Sequence, residues 1–181
     1  MQIMKNRIEI IRGDITQMKT DAIVNAANTS LMGGGGVDGA IHRAGGPAIL
    51  EECKKIVARQ GGCSTGQAVL TTGGKLAARF VIHTAGPVWE GGKNKEAEKL
   101  ADCYRNSLQL AVSNNIQTIA FPNISTGVYG YPKKEAAEIA INTIKHFLEQ
   151  NTSIKKVCFV CFDEENYRLY SELNSKIENQ E

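Results

Sequence analysis

Long apolar runs are absent from this 181-residue sequence, and without a run of about 18 residues no membrane-spanning helix can form. The first residues also lack an apolar segment after a charged one, because charged side chains alternate there with isoleucines; we therefore expect no secretory signal. An excess of one charge is missing too, since 21 Lys and Arg stand against 19 Asp and Glu without a basic block, which disfavours a nucleic-acid groove. With 42% hydrophobic residues, the composition indicates a globular protein, which we expect in the cytoplasm.

Cysteine and histidine are few and show no metal-ligand spacing. Five cysteines are an odd number, which does not suit a complete set of disulfides. Four of them fall on apolar helical stripes or in a predicted strand: Cys53, Cys103, Cys158 and Cys161. The last two form no redox pair, because positions three apart in a strand face opposite sides. The histidines are scattered, at His42, His83 and His146. We expect buried thiols and neither a metal nor a cofactor.

Apolar runs of strand length alternate with amphipathic helices along the chain. The strand-like runs are 7–12, 22–25, 68–71, 80–85, 118–121 and 156–162. The strong helices are 47–59, 96–114 and 132–150; another begins at Val37, and a short one covers 164–174. We predict an α/β fold of three layers, α/β/α, with a mostly parallel, mixed central sheet. One domain spans 1–181, with a core at about 7–174 and a frayed polar tail at 175–181.

Ligands of open α/β sheets lie beyond the carboxyl ends of the strands, and the first segment to follow a strand here is Gly13-Asp14-Ile15-Thr16. One interpretation is a plain turn in which Asp14 caps the following residues. The other places an adenine here, with its amino group donating to the Asp14 carboxylate. Taken alone, the motif favours the turn.

The second segment runs from Asn25 to His42 and contains four consecutive glycines at 33–36. Such a run costs backbone entropy and suits close approach of a ligand to the main chain. A helix follows directly, so its free N–H groups and dipole favour an anion. The stretch 34–39 also fits Gly-x-Gly-x-x-Gly, but it follows the second strand across a long loop and no acidic residue closes the next strand. We therefore do not assign nicotinamide binding.

Asp38, in the first turn of this helix, has two interpretations. It can simply stabilise that turn. A second negative charge does not help a phosphate cradle, however, whereas a carboxylate that orients or deprotonates a water has a reason to lie there. His42 lies one turn further on and can pair with Asp38 or pack. For His42 the packing interpretation is favoured.

The third segment, 123–132, joins an apolar strand to a long helix. Ser125, Thr126 and Gly127 can present consecutive N–H groups to an anion, and Tyr129 can pack on a sugar. An ordinary strand-to-helix loop is the alternative. Two glycine-rich anion loops at strand ends of one small domain together suggest a diphosphate.

These segments resemble the MacroD-type macro domains, which are ADP-ribose-binding hydrolases. The motifs are Gly13-Asp-Ile-Thr16, Asn25-Ala-Ala-Asn28, Gly33-Gly-Gly-Gly-Val-Asp-Gly-Ala-Ile-His42 and Ile124-Ser-Thr-Gly-Val-Tyr-Gly-Tyr-Pro132. The similarity extends in order from about residue 7 to residue 170. The Val-Asp-Gly after the glycine loop is typical of the hydrolytic branch.

The resemblance implies an ADP-ribose site that needs no metal or cofactor. Asp14 would bind the adenine amino group, Ile15 the ring through its backbone, and Phe162 would pack nearby. The diphosphate would contact two loops, made of Gly35, Gly36 and Val37 and of Ser125, Thr126, Gly127, Val128 and Tyr129. Tyr129 and Asn28 would hold the distal ribose, with Asn25 shaping the loop. Asp38 and Asn28 would be catalytic. A water would lie between Asp38 and the α-phosphate, with Asp38 as general base or as the group that orients the water, and with help from the substrate diphosphate.

The resemblance implies esters of ADP-ribose as substrates: O-acetyl-ADP-ribose, and mono-ADP-ribose on Asp or Glu side chains of proteins. A monomer without membrane or nucleic-acid partners is expected. Three other functions stay open. These are an ADP-ribose reader that binds modified proteins without turnover, a phosphatase for ADP-ribose 1″-phosphate, and, least favoured, RNA or poly-ADP-ribose binding.

Overall fold

A six-stranded sheet forms the middle layer of the molecule. Its strands are β1 (Ile8–Arg12), β2 (Ala22–Ala27), β3 (Ala68–Thr72), β4 (Phe80–Ala85), β5 (Thr118–Phe121) and β6 (Lys156–Cys161), in the spatial order β1-β6-β5-β2-β4-β3. Neighbouring strands are parallel except at the edge, where β3 runs antiparallel to β4. The computed structural model describes residues 6–180. The predicted mostly parallel, mixed sheet is confirmed.

Five helices cover the two faces of this sheet. They are α1 (Gly36–Gly45), α2 (Pro47–Gln60), α3 (Glu96–Ser113), α4 (Lys133–Gln150) and α5 (Glu164–Glu178). One buried cluster joins α1 and α2 to one face, and a larger cluster joins α3, α4 and α5 to the other. The predicted three-layer α/β/α architecture is confirmed. Over the described residues, no helix combines the length and the hydrophobicity needed to cross a bilayer.

The strands β2, β4, β5 and β6 are buried on both faces, so their side chains alternate between the two clusters. Cys158 lies in the cluster under α1 and α2, whereas Cys161 lies in the opposite one. All five cysteines are buried and free. The prediction that Cys158 and Cys161 face opposite sides is therefore confirmed.

Helix ends differ from the sequence-based expectation by one residue in α1, α2, α3 and α4 and by four residues in α5. The C-terminal helix continues to Glu178, four residues past the predicted end, because Ile177 is buried against the core. The tail expected to be frayed from 175 is thus helical over most of its length. Pro132 precedes α4 as its cap and is not the first helical residue, since its extended ψ suits the end of a loop.

Candidate active site

Five loops leave the carboxyl ends of the five parallel strands, all at the same edge of the sheet. The strands β2 and β5 are neighbours in the sheet. After β2 the chain continues to β3 and β4 on one side of this pair, and after β5 it continues to β6 on the other side, so the two connections diverge. Ligand crevices of open α/β sheets form at such switch points. The glycine loop follows β2 and the 123–132 loop follows β5, so the fold brings the two predicted anion loops together.

Asp38 lies at the base of this crevice and is only 4% exposed. Its Oδ1 accepts a hydrogen bond from Asn25 Nδ2 at 2.8 Å. Its Oδ2 is buried and has no hydrogen-bond partner among the described residues. A Cβ added to Gly34 would lie 3.1 Å from this Oδ2 and 2.7 Å from Asn28 Nδ2. Glycine at position 34 therefore lets the loop pass close to the carboxylate.

Asn28 connects the two loops that face each other across the crevice. Its Nδ2 donates to the Gly33 carbonyl at 3.2 Å. Its Oδ1 accepts from the Tyr129 hydroxyl at 2.9 Å, although the two residues are 101 positions apart. The two residues that the resemblance assigns to the distal ribose are thus adjacent in the fold.

Free backbone N–H groups line both loops. Within residues 6–180, no protein atom accepts from the N–H groups of Gly36, Val37, Thr126, Gly127 and Val128. Ser125 has a left-handed φ of 67°, which turns the chain into a concave path. Successive N–H groups along such a path form an anion-binding nest, and the other set belongs to a helix N-terminus.

The rim of the crevice is open. Phe162 is 86% exposed and Val128 is fully exposed, and both follow strands at the same sheet edge. The Asp14 Oδ1 accepts from the backbone N–H and the hydroxyl of Thr16, at 2.9 and 2.7 Å. Ile15 is buried, with 5% of its surface exposed. The plain-turn interpretation of Asp14 is correct, and it leaves the second carboxylate oxygen of this exposed residue available.

Asn25 has no exposed surface and does not line the crevice. Its amide lies between Asp38 and His83, with Nδ2 3.0 Å from His83 Nδ1. His83 was overlooked at the sequence level because a histidine in an apolar strand carries no local signal. His42 also differs from expectation: its Nε2 is 3.4 Å from Asp38 Oδ1, so it pairs with the carboxylate as well as packing.

The fold gathers His42, His83 and Cys53, so these histidines are not scattered as the sequence suggested. One ligand atom from each lies within 4.8 Å of the others. Their chemistry does not fit a metal, however. Both ring nitrogens of His83 are hydrogen-bonded, to Asn25 and to Thr71. Burial and the charge of Asp38 raise the pKa of Cys53 to about 11, so this group is an uncharged thiol at neutral pH. His42 Nε2 in turn pairs with Asp38 Oδ1 at 3.4 Å.

Comparison with protein-family models matches residues 24–140 to the macro domain. The match covers the glycine loop, Asp38 and the 123–132 loop, and it spans more than half of the chain. The chain belongs to the macro domain family. The predicted membership and fold are therefore confirmed, and the crevice at β2 and β5 is the candidate site of a macro domain.

Two relatives of this macro domain have the same name, O-acetyl-ADP-ribose deacetylase. The O-acetyl-ADP-ribose deacetylase of Salmonella newport (strain SL254) is 60% identical over 170 residues, which cover 94% of this chain and 95% of the relative. The O-acetyl-ADP-ribose deacetylase of Klebsiella pneumoniae (strain 342) is 61% identical over 165 residues, covering 91% of this chain and 94% of the relative.

Solved structures agree with the fold. The Oceanobacillus iheyensis macrodomain with ADP superimposes with a TM-score of 0.92 at 48% identity, covering 98% of this chain and 95% of that one. The Trypanosoma brucei macrodomain in complex with ADP-ribose gives 0.85 at 46% identity, covering 93% of this chain and 69% of that one.

Proposed function

We propose that this macro domain hydrolyses esters of ADP-ribose, both O-acetyl-ADP-ribose and mono-ADP-ribose linked to Asp or Glu side chains of proteins. The observation that carries the proposal is the buried Asp38 Oδ2, a carboxylate oxygen that has no hydrogen-bond partner within residues 6–180 and lies beside a loop of free N–H groups. The free N–H groups account for binding of a diphosphate. They do not account for a carboxylate at the same place, since two negative charges repel.

Binding divides between the open rim and the two loops. The diphosphate lies between the N–H groups of Gly36 and Val37 on one side and of the 125–129 loop on the other, which places the distal ribose near Asn28 and Tyr129. Asp14 accepts from the adenine amino group, and the exposed Phe162 ring packs against the base. The names of relatives and of macrodomain structures with ADP or ADP-ribose support this ligand.

In the proposed reaction a water lies between Asp38 Oδ2 and the diphosphate. Asp38 takes a proton from this water as the water oxygen attacks the ester carbonyl carbon. The bond from that carbon to the oxygen of the distal ribose then breaks, and Asp38 returns the proton to the ribose oxygen. One water is consumed, and the products are free ADP-ribose and a carboxylic acid. Asn28 and Tyr129 hold the ribose so that the ester bond meets the water. Positioned proton transfer of this kind contributes about 10²- to 10⁴-fold to a rate.

The decisive experiment measures release of ADP-ribose from a glutamate-linked mono-ADP-ribosylated protein and from O-acetyl-ADP-ribose. We expect turnover by the wild type and a loss of about 10²- to 10⁴-fold in Asp38→Ala, with ADP-ribose still bound in calorimetry. Asp102→Ala is the matched control, because Asp102 is a half-exposed acidic residue of α3 that pairs with Arg105 outside the crevice.

Other outcomes would redirect the assignment. Wild-type protein that binds ADP-ribose but cleaves neither ester is a reader module. Loss of binding together with turnover in Asp38→Ala would make Asp38 a structural residue. Cleavage of O-acetyl-ADP-ribose alone would remove modified proteins from the substrates.

A further inference from the structure

A chain of four buried side chains reaches from the far edge of the sheet to Asp38. Thr71 on β3 lies 2.9 Å from His83 Nε2 on β4, His83 Nδ1 lies 3.0 Å from Asn25 on β2, and Asn25 lies 2.8 Å from Asp38 on α1. Asn25 and His83 are direct partners in the β2–β4 ladder. All four residues are at most 4% exposed, so water does not compete for these hydrogen bonds.

The donors and acceptors in this chain run in one direction. The Thr71 hydroxyl donates to the Thr72 carbonyl at 3.0 Å, so its oxygen accepts from His83 Nε2–H. The Asn25 amide nitrogen carries two protons. One goes to the Asp38 carboxylate and the other to His83 Nδ1, which is therefore an unprotonated acceptor. His83 is the neutral tautomer with its proton on Nε2.

The opposite orientation of the Asn25 amide is unfavourable. It would place the Asn25 oxygen against the Asp38 carboxylate, and two acceptors at 2.8 Å repel. The observed orientation leaves Asn25 Oδ1 buried without a partner among the described residues. The free-energy cost of this unpaired oxygen is offset because both N–H groups of the Asn25 amide are hydrogen-bonded, one to Asp38 and one to His83.

Burial keeps His83 in the state that this arrangement needs. Desolvation, followed by the nearby His42, lowers the pKa of His83 to about 3. A protonated ring would present an N–H at Nδ1 to the Asn25 amino group, where two donors would meet. Near neutral pH the ring is uncharged and Nδ1 is free to accept.

We propose that His83 is a positioning residue for the hydrolysis, acting through Asn25. The His83 Nδ1 accepts from the Asn25 amide and so keeps the Asn25 amino group directed toward Asp38. The Asn25 amino group then holds Asp38 Oδ1 in place, and Asp38 Oδ2 is left to contact the reacting water. Thr71 contributes by fixing the His83 tautomer. The inference rests on the proposed function of Asp38. His83 is buried behind Asn25 and does not reach the crevice.

Two substitutions separate the two ring nitrogens. In His83→Asn the side-chain oxygen can take the place of Nδ1 and accept from Asn25, whereas His83→Gln reaches toward Thr71 and offers no acceptor at the Nδ1 position. We expect His83→Asn to keep kcat within about threefold of wild type. We expect His83→Gln to lower kcat roughly tenfold or more, with the affinity for ADP-ribose unchanged in calorimetry.

Cys53→Ala is the control for packing, because the Cys53 sulfur lies 4.0 Å from His83 Nε2 and belongs to no step of the chain. It should leave kcat within about twofold of wild type. Equal losses in His83→Asn and His83→Gln, or no loss in His83→Gln, would overturn the inference, because packing alone would then explain the residue.

A second measurement does not depend on activity or on a folded variant. Long-range ¹⁵N–¹H correlation spectra of histidine-labelled wild-type protein report the tautomer of each ring, and the chain has only three histidines. His83 should be neutral with its proton on Nε2 at pH 7. A proton on Nδ1, or a charged ring, would overturn the inference even if both esters are cleaved. If the wild type cleaves neither ester, the proposed function fails, while the spectrum still decides the tautomer.

Discussion

The base and the rim of the crevice are built in different ways. At the base lies Asp38, held by side-chain hydrogen bonds to the buried Asn25 and, behind it, His83, so that three elements contribute. At the rim, Val128 and Phe162 are exposed, and the two loops present free backbone N–H groups. A carboxylate that acts on a water needs a fixed position, which buried hydrogen bonds provide. A diphosphate, in contrast, can be bound by main-chain N–H groups of exposed loops.

The largest expected effect tests whether the base contributes to the rate and not to affinity. Asp38→Asn keeps the shape of the side chain and removes its charge. We expect turnover of O-acetyl-ADP-ribose to fall by about 10²- to 10⁴-fold, while the affinity for ADP-ribose measured by calorimetry stays within about threefold. A parallel fall in affinity would show that base and rim are not separable.

The second prediction tests whether a change at the rim lowers the affinity for ADP-ribose. Gly36 has a positive φ of 57°, and a Cβ there meets no atom within 4 Å, so a side chain would occupy ligand space. Gly36→Val should weaken ADP-ribose binding by about 10²-fold, because a branched residue at positive φ is strained and blocks the close approach. Gly35→Val, also in open space, should weaken binding as well.

Gly61→Val is the matched control for backbone strain. Gly61 ends α2 at a φ of 87° with equally open space, outside the crevice. It should lower the free energy of unfolding without changing affinity. If Gly36→Val and Gly61→Val bind ADP-ribose equally well, the glycine loop is not part of the site.

The third prediction concerns acid stability of the base. The unfolded chain protonates His83 below its ordinary pKa of 6.5, whereas the folded chain does so only near 3. Stability from this residue is complete above pH 6.5 and falls as the pH drops toward 3. At pH 5 the loss is about 2 kcal/mol. We expect the free energy of unfolding in urea to fall less between pH 7 and pH 5 in His83→Asn than in the wild type. An equal fall in both proteins would mean that His83 titrates normally.

The smallest expected effect lies at the adenine end of the rim. Asp14→Asn keeps an oxygen that can accept from Thr16 and removes the charge that, in the proposed complex, faces the adenine amino group. We expect ADP-ribose affinity to fall only about three- to tenfold. The hypoxanthine analogue, which lacks that amino group, should show no such loss. A similar loss of affinity for both ligands would show that the adenine does not bind at Asp14.

Local pattern predicted the elements and the loops well. The strands Phe80–Ala85 and Thr118–Phe121 have the bounds that their apolar runs indicated, and the other strands differ by at most two residues at an end. Asp38 was singled out because a carboxylate beside a glycine loop has no simple role in anion binding. The helix ends were less accurate, because contacts such as that of Ile177 with the core decide where α5 ends.

The sequence by itself determined the α/β alternation, the two glycine loops and the position of Asp38, because burial and backbone freedom recur at fixed local spacings. Only the tertiary structure decided what surrounds Asp38. Asn25, His83 and Thr71 meet because β2, β4 and β3 are neighbours in the sheet. The period of a strand specifies which side chains share a face but not which strand lies beside it. Lateral order, set by packing of the whole chain, therefore assembled the base of the site.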